Sequence, residues 1–446
     1  MPGRTRPDAA GEGDRKGVGY PCTPHWGTPP PARNAVLRSG QPSGMGIPIP
    51  PQSRHRVDRF KRIRIPKDWG GDHLFRGRPP GPDAVIVDNN DYLHLARDRR
   101  IIEAMTARLD AAGTSTLMSG ILLFGDHPQL SLERELAAHM GAPAGILCQS
   151  GWAANTGLLQ AIADPSTPVY IDVIAHMSLW EGAHAARAKT RLFRHNDLAH
   201  LRRRIADHGP GVIAVDGVYS SDGSLAPLAQ LADIATESDC VLVVDESHSL
   251  GVHGERGEGI VAALGLQDAV HFRTVSLSKA FAGRAGLITC CTPDFVDYFK
   301  HESYPAVFST TLLPHDLAGL EAALHAVRED GWRRERLHQI TEWVREELTD
   351  AGIDLHGSQT QILPLEAGTE LRAIRLRDAM MSQGVFPSPF GPPATSRRRA
   401  TMRVSLHAGL TDAQVERLIE VCLDVRPLLS GRSAEAPDQA RSVMDR

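Results

Sequence analysis

Six short apolar runs punctuate the chain between residues 85 and 275: Val85–Val87, Gly145–Cys148, Val169–Ile171, Val212–Val215, Val241–Val244 and Phe272–Val275. Brief continuous runs of this kind mark strands buried on both faces. Between them, apolar residues recur at helical spacing. Ile102, Met105 and Leu109 share one face of a predicted helix over Arg99–Ala111, and further helices are predicted over Ser131–Met140, Ala153–Ala163, His176–Ala186 and Leu228–Glu237. This alternation predicts an α/β fold, a mostly parallel sheet covered by helices. The segment Gly113–His127, rich in Gly, Ser and Thr, predicts a loop. From His315 to Leu348 the pattern predicts one long amphipathic helix, with Leu317, Leu320, Leu324 and Val327 on its apolar face. Residues 350–428 mix short strands with helices over Leu371–Gln383 and Asp412–Leu423, a smaller C-terminal α/β domain.

Composition sharpens the borders. Eleven of the 31 prolines fall in the first 51 residues, where apolar periodicity is missing, so residues 1–53 are expected to be a disordered Pro/Gly/Arg-rich extension. Residues 54–95 then form an N-terminal arm, 96–330 the large domain, 331–430 the small C-terminal domain and 431–446 a polar tail. Hydrophobic content of 41% is ordinary for a globular protein, and a net charge of −4 gives no global field for nucleic acid or an anionic membrane. No stretch approaches the ~18–20 apolar residues of a membrane span. Cys22, Cys148, Cys240, Cys290, Cys291 and Cys422 lack metal-type spacing, and four of them sit in apolar contexts as free thiols. A reducing, cytoplasmic location is expected.

The candidate chemistry gathers in the stretch from Cys240 to Gly286. The run Val241–Val244 breaks into Asp245-Glu246-Ser247-His248, and Phe272–Val275 breaks into Ser276-Leu277-Ser278-Lys279. In an open parallel sheet, ligands sit beyond the carboxyl ends of such strands. An acid, a histidine, hydroxyls and a lysine at one sheet edge suit a pyridine ring carrying a phosphate and an aldehyde. Pyridoxal 5'-phosphate, held covalently on Lys279, is therefore the expected cofactor. Asp245 would pair with the pyridinium nitrogen, and the alternative for it is a loop cap. His248 would face the ring's phenolic oxygen or serve as a core histidine. Ser150, Gly151 and Trp152 open a helix after a strand, a seat for phosphate, with Ser276 and Ser278 adding hydroxyls. His176 would stack on the ring or merely start a helix. A metal site using Asp245, Glu246, His248, His253 and Glu255 is disfavoured because the spacing matches no zinc pattern, so no metal is expected.

Over roughly residues 85–428 the segments LCQSGWAANTGLLQAIAD, TPVYIDVIAHMSLWEGA, HGPGVIAVDGVYSSDGSLAPLA, VLVVDESHSLGVHGERGEG and YPAVFSTTLLPH resemble the α-oxoamine synthase family. These are fold-type I pyridoxal-phosphate acyltransferases. Within that family the chain is most similar to the branch that makes α-aminoketone autoinducers for quorum sensing. The resemblance implies that Lys279 also moves the substrate proton, that Ser220 joins His248 at the phenolic oxygen, and that His176 stacks. It makes Lys279, His176, Asp245 and His248 the catalytic set. Gly151, Trp152 and Ser276 would bind phosphate, Arg403 would grip the substrate carboxylate, and Asn90 would lie on the substrate side. Thr310 would reach the phosphate of the neighbouring subunit's cofactor, making the enzyme a homodimer with shared sites.

Two departures from the family pattern stand in the loop GTSTLMSGILLFGDHPQLSLE: Gln129 occupies a histidine place and Met118 lies near an arginine place. The autoinducer branch departs similarly. The implied reaction is a decarboxylative condensation of a small amino acid with an acyl-CoA, medium-chain in the autoinducer branch, giving an α-aminoketone. Another α-oxoamine synthase, of the 8-amino-7-oxononanoate or 2-amino-3-ketobutyrate type, is the alternative. A metal-dependent hydrolase and a non-catalytic scaffold are more distant ones. Leu122, Leu123 and Phe124 would line an acyl channel or, more ordinarily, pack in the core. The arginine run at 396–399 reads as a solvated charge cluster, with CoA phosphates the other option.

Overall fold

The computed structural model describes residues 49–115 and 117–430. The bulk of the N-terminal extension, Cys22 among it, and the polar tail lie outside the described residues. The chain divides into two units at His55/Arg56, and the second carries all that follows.

Eleven strands occur among the described residues: β1 (Val85–Val87), β2 (Ala144–Cys148), β3 (Pro168–Asp172), β4 (Lys189–Phe193), β5 (Val212–Asp216), β6 (Val241–Asp245), β7 (Phe272–Ser276), β8 (Gly286–Cys290), β9 (Ile362–Gly368), β10 (Val385–Phe390) and β11 (Ala400–Ser405). Seven of them form one sheet in the order β2-β8-β7-β6-β5-β3-β4. Only β8 runs against the direction of the other six. Val169, Ile213, Leu242, Val243 and Val244 on its central strands are fully buried, as the apolar runs require. The smaller sheet runs β1-β10-β11-β9, with β1 parallel to β10 and β11 antiparallel to both its neighbours.

Three differences from the sequence pattern have physical causes. The single helix expected over His315–Leu348 is two, Pro314–Glu329 and Gly331–Asp350. Asp330 leaves the helical region at φ −91°, ψ 56°, and its carboxylate accepts from Arg100 at 2.5 Å and Arg333 at 3.0 Å. An Asp-Gly pair has poor helix propensity, and the two arginines hold the break open. The strand β4 reads Lys-Thr-Arg-Leu-Phe and lies at the sheet edge, where half-exposed polar residues hide the signal. Leu122 and Phe124 are not core residues: they are 53% and 85% exposed, on and just after a 3-10 turn over Gly120–Leu122.

Buried histidines make the fold acid-sensitive. His139 bonds the Gly257 carbonyl through Nε2 at 3.2 Å and accepts from Arg328 through Nδ1 at 3.4 Å. Burial, reinforced by the Arg328 charge, lowers its pKa from 6.5 to about 4. Burial, with His338 adding, lowers His253 likewise to about 4. The unfolded chain therefore binds protons first. Stability is complete above about 6.5 and is lost as pH falls toward 4, each histidine contributing up to about 3 kcal/mol. Urea titrations across this window should show the midpoint falling with pH, and a flat profile would contradict the assignment.

Candidate active site

Three parallel strands of the large sheet end in a carboxylate at the same edge: Asp172 on β3, Asp216 on β5 and Asp245 on β6. Asp216 and Asp245 are register partners. Asp172 is bonded by His195 Nδ1 at 3.1 Å and by the Ile174 and Asn196 amides. Asp216 accepts the His176 amide at 3.1 Å, and burial, with Asp245 adding, holds its carboxyl well above the usual range. Asp245 accepts the Ser247 amide at 2.9 Å and the Asn155 side-chain amide at 2.6 Å. It thus caps a turn as well as facing the site.

Lys279 follows β7 and faces this edge. Burial lowers its pKa, Arg403 lowers it further, and Asp245 and Asp216 pull the other way. The direction favours a free amine. His248 is buried and held well below its ordinary pKa, first by burial and then by Lys279, Arg403 and His176. Its Nδ1 lies 2.7 Å from the Tyr92 hydroxyl, and burial pushes that phenol up to about 12. His176 heads the helix Met177–Ala185 as its cap, with the Trp152 ring edge-on at 6.2 Å.

Arg403, on β11, is 4% exposed. Its guanidinium donates to the Ser220 carbonyl at 3.0 Å and to Asn90 Oδ1 at 2.7 Å, and lies 4.5 Å over the Phe390 ring. Both hydrogen-bond partners are neutral, and its Nε has none among the described residues. A buried guanidinium whose hydrogen-bond partners are all neutral, with the Asp88 charge acting on it only through space, is a ready seat for a carboxylate. Asn90 Oδ1 also accepts from Tyr92 at 3.0 Å, so Arg403, Asn90, Tyr92 and His248 form one chain of contacts.

The phosphate seat expected at Ser150–Trp152 lies against the end of β7. Ser150 takes the Ala153 amide at 3.1 Å, the third of the helix Gly151–Ile162, and a helix start leaves its first two amides for a ligand. A Cβ on Gly151 would come within 2.6 Å of Ser276 Cβ, and one on Gly286 within 2.1 Å of the Ser150 carbonyl, so only glycine permits this approach. Ser276 and Ser278 hydroxyls stand 2.8 Å apart beside it. Amide and hydroxyl donors, a carboxylate, an amine inclined to lose its proton and a seat for a substrate carboxylate fit pyridoxal phosphate bearing an amino acid.

Other expected residues fall elsewhere. Glu246 spends its carboxylate on Ser249, the Val261 amide and the buried Arg273, and no group of three metal-type ligands occurs among the described residues. Gln129 is buried and bonds Glu133 at 3.1 Å. Arg399 pairs with Glu366 at 2.9 Å, while Arg397 and Arg398 are exposed. Thr310 is exposed, paired by a bridge to Ser119, and its carbonyl accepts from Gln149. Sequence reasoning missed Asn155, Ser178, Thr274 and Tyr92, all buried polar groups at the site's rear. The available signal for Asn155 was an amide directly after two alanines in the first turns of a helix.

Fold and site together define a pyridoxal-phosphate enzyme of fold type I. The aminotransferase class I and II family pattern matches residues 82–421, and the chain belongs to that family as one of its α-oxoamine synthases, acyltransferases that use this cofactor. It is 40% identical to the CAI-1 autoinducer synthase of Vibrio campbellii over 84% of this chain and 95% of that protein. It is 34% identical to the 8-amino-7-oxononanoate synthase of Alkalilimnicola ehrlichii over 76% and 87% respectively. A serine palmitoyltransferase from S. paucimobilis with bound PLP superposes with a TM-score of 0.73 at 24% identity, covering 77% of this chain and 88% of that one, a likeness of fold. No helix among the described residues is long and apolar enough to cross a membrane.

Proposed function

We propose that this enzyme condenses a small amino acid with a medium-chain acyl-CoA, releasing CoA and CO₂ and leaving an α-aminoketone of the autoinducer type. The observation that carries the reading is Arg403, a buried guanidinium with neutral hydrogen-bond partners beside a lysine inclined to be unprotonated. Likeness to the Vibrio campbellii autoinducer synthase supports the choice of product class. Bound pyridoxal phosphate supplies an electron-withdrawing ring that makes the amino acid's α-proton removable. Arg403, with Asn90, holds the substrate carboxylate and so orients the α-carbon. Lys279 Nζ takes the α-proton. The deprotonated carbon attacks the thioester carbonyl, a C–C bond forms, the C–S bond breaks and the thiolate leaves. The carboxylate then departs as CO₂, and Lys279 returns the proton. Asp245 would hold the ring nitrogen, His248 and Ser220 the phenolic oxygen, and His176 the ring. Ser150, Gly151, Trp152 and Ser276 take the phosphate.

We assign the same chain a homodimeric state, with Thr310 completing the neighbouring subunit's phosphate site. Exposed Phe124, Tyr304 and Phe308, 85%, 65% and 80% accessible, lie in the segments flanking the Ser119–Thr310 bridge and support an apolar contact there. Sedimentation at monomer mass would remove this assignment. Buried free thiols at Cys148, Cys240, Cys290 and Cys422 support a reducing, cytoplasmic location.

The test is release of CoA thiol by purified, cofactor-loaded enzyme across amino acids and acyl lengths. Turnover should peak with a small donor and a medium chain. Arg403→Ala should raise KM for the amino acid about 10- to 100-fold, the loss of a charged hydrogen-bonded partner. Arg403→Lys should fall between, because an ammonium cannot copy the planar fork. Unchanged KM in Arg403→Ala would place the carboxylate elsewhere, and absence of CoA release with any pair would end the reading.

A further inference from the structure

Behind the site lies a closed set of polar groups to which none of the roles above refers. Asn155 projects from the helix Gly151–Ile162 into the space between β6, β7 and the helix Met177–Ala185, and it is 1% exposed. Its amide nitrogen lies 2.6 Å from Asp245 Oδ2 and 2.8 Å from Ser178 Oγ, and its oxygen lies 2.5 Å from Thr274 Oγ1. Ser178 and Thr274 are fully buried. Ser178 Oγ continues to His176 Nδ1 at 2.7 Å.

The hydrogens in this set have one consistent arrangement. A carboxylate accepts, so the Asn155 NH₂ must face Asp245, and its oxygen must take the Thr274 hydroxyl proton. The second amide hydrogen goes to Ser178 Oγ. Ser178 keeps its own proton free to turn toward His176 Nδ1. The Ser178 backbone N–H aims at the same ring nitrogen from 3.3 Å. Two donors converge on Nδ1, so Nδ1 carries no proton and the ring is neutral, with its hydrogen on Nε2. Burial, aided by Lys279, lowers the His176 pKa in the same sense, and Asp245 opposes it.

We propose that Asn155 is a positioning residue that fixes two groups at once, the rotamer of Asp245 and, through Ser178, the Nε2–H tautomer of His176. Asn155 would then set how firmly the carboxylate meets a ring nitrogen and which edge of the imidazole can donate. Thr274 is the anchor that keeps the amide from turning over. The proposal rests on the cofactor reading for Asp245, whereas its histidine arm stands on the protein alone.

The two arms are tested separately. In the apoprotein, nitrogen NMR of labelled histidine, with His176 assigned from a His176→Gln spectrum, should show a neutral ring protonated at Nε2. Ser178→Ala should convert that signal to a mixture of tautomers and leave cofactor affinity near wild type. In the cofactor-loaded protein, Asn155→Ala should weaken pyridoxal phosphate binding about 10- to 100-fold and move the pH midpoint of its visible band. Thr274→Val, which keeps the shape, should give a smaller shift of the same sign and guards against a misfolded Asn155→Ala. A wild-type His176 protonated at Nδ1 overturns the proposal. So do folded Asn155→Ala and Thr274→Val variants whose affinity and band midpoint match wild type. Failure of wild type itself to bind pyridoxal phosphate would instead strike the cofactor reading, leaving the histidine arm to be decided by its own spectrum.

Discussion

Replacing Lys279 by alanine is expected to lower kcat at least about 10³-fold, the scale of a lost proton-transfer group, while leaving the fold intact. The side chain stands beyond the carboxyl end of β7, and alanine keeps the backbone carbonyl that accepts from the Ala282 amide. On the proposed mechanism its removal takes away the amine to which the cofactor attaches and the base beside the substrate's α-carbon. Burial and Arg403 both push this lysine toward the free amine, against Asp245 and Asp216. Two readouts check the result. Borohydride should fix the cofactor to the peptide containing residue 279 in wild type and to no peptide in the variant. CoA release should fall with it, and an active Lys279→Ala would require a different base.

Asp245→Asn is the second large effect, an expected loss of about 10²- to 10³-fold in kcat, the range seen when one fixed electrostatic partner is removed. The substitution is nearly isosteric. An amide can still accept from either Asn155 or the Ser247 amide, whose present distances are 2.6 Å and 2.9 Å. It cannot supply the negative charge that keeps a ring nitrogen protonated. The cofactor should still bind, with its visible band shifted, and KM for the amino acid should change little, because Arg403 is untouched. A variant with wild-type kcat would show that Asp245 serves only the turn it caps.

That these residues share one end of the sheet was legible in the sequence, and for a simple reason. Asp245 and Ser276 directly follow an apolar run and Ser150 and Lys279 come within four residues of one, and in a parallel sheet the end of such a run is where ligands bind. The groups that orient them were not legible. Asn155 and Ser178 lie inside helices, and Thr274 inside β7, where a single polar residue gives no periodic signal. Tyr92 reaches His248 across 156 positions of sequence, a pairing that no local pattern encodes. The break at Asp330 was hidden because leucine spacing continues on both sides of it. The edge strand β4 was hidden because its residues are half solvated, so burial never imposed an apolar run.

The parallel pairing of β1 with β10 has a consequence for how the enzyme is made. Val85 pairs with Val385, so a ribosome adds 300 residues between the two, which takes roughly 15–60 s at ordinary synthesis rates. Through all of that interval β1 has no partner strand, while the seven-stranded sheet, complete at Cys290, has every strand it needs. Asn90, just past β1, waits longer still for Arg403. The proposed carboxylate grip would thus be the last part of the catalytic apparatus to exist on a nascent chain, and on that reading no amino acid is held for chemistry until nearly the whole polypeptide has been translated.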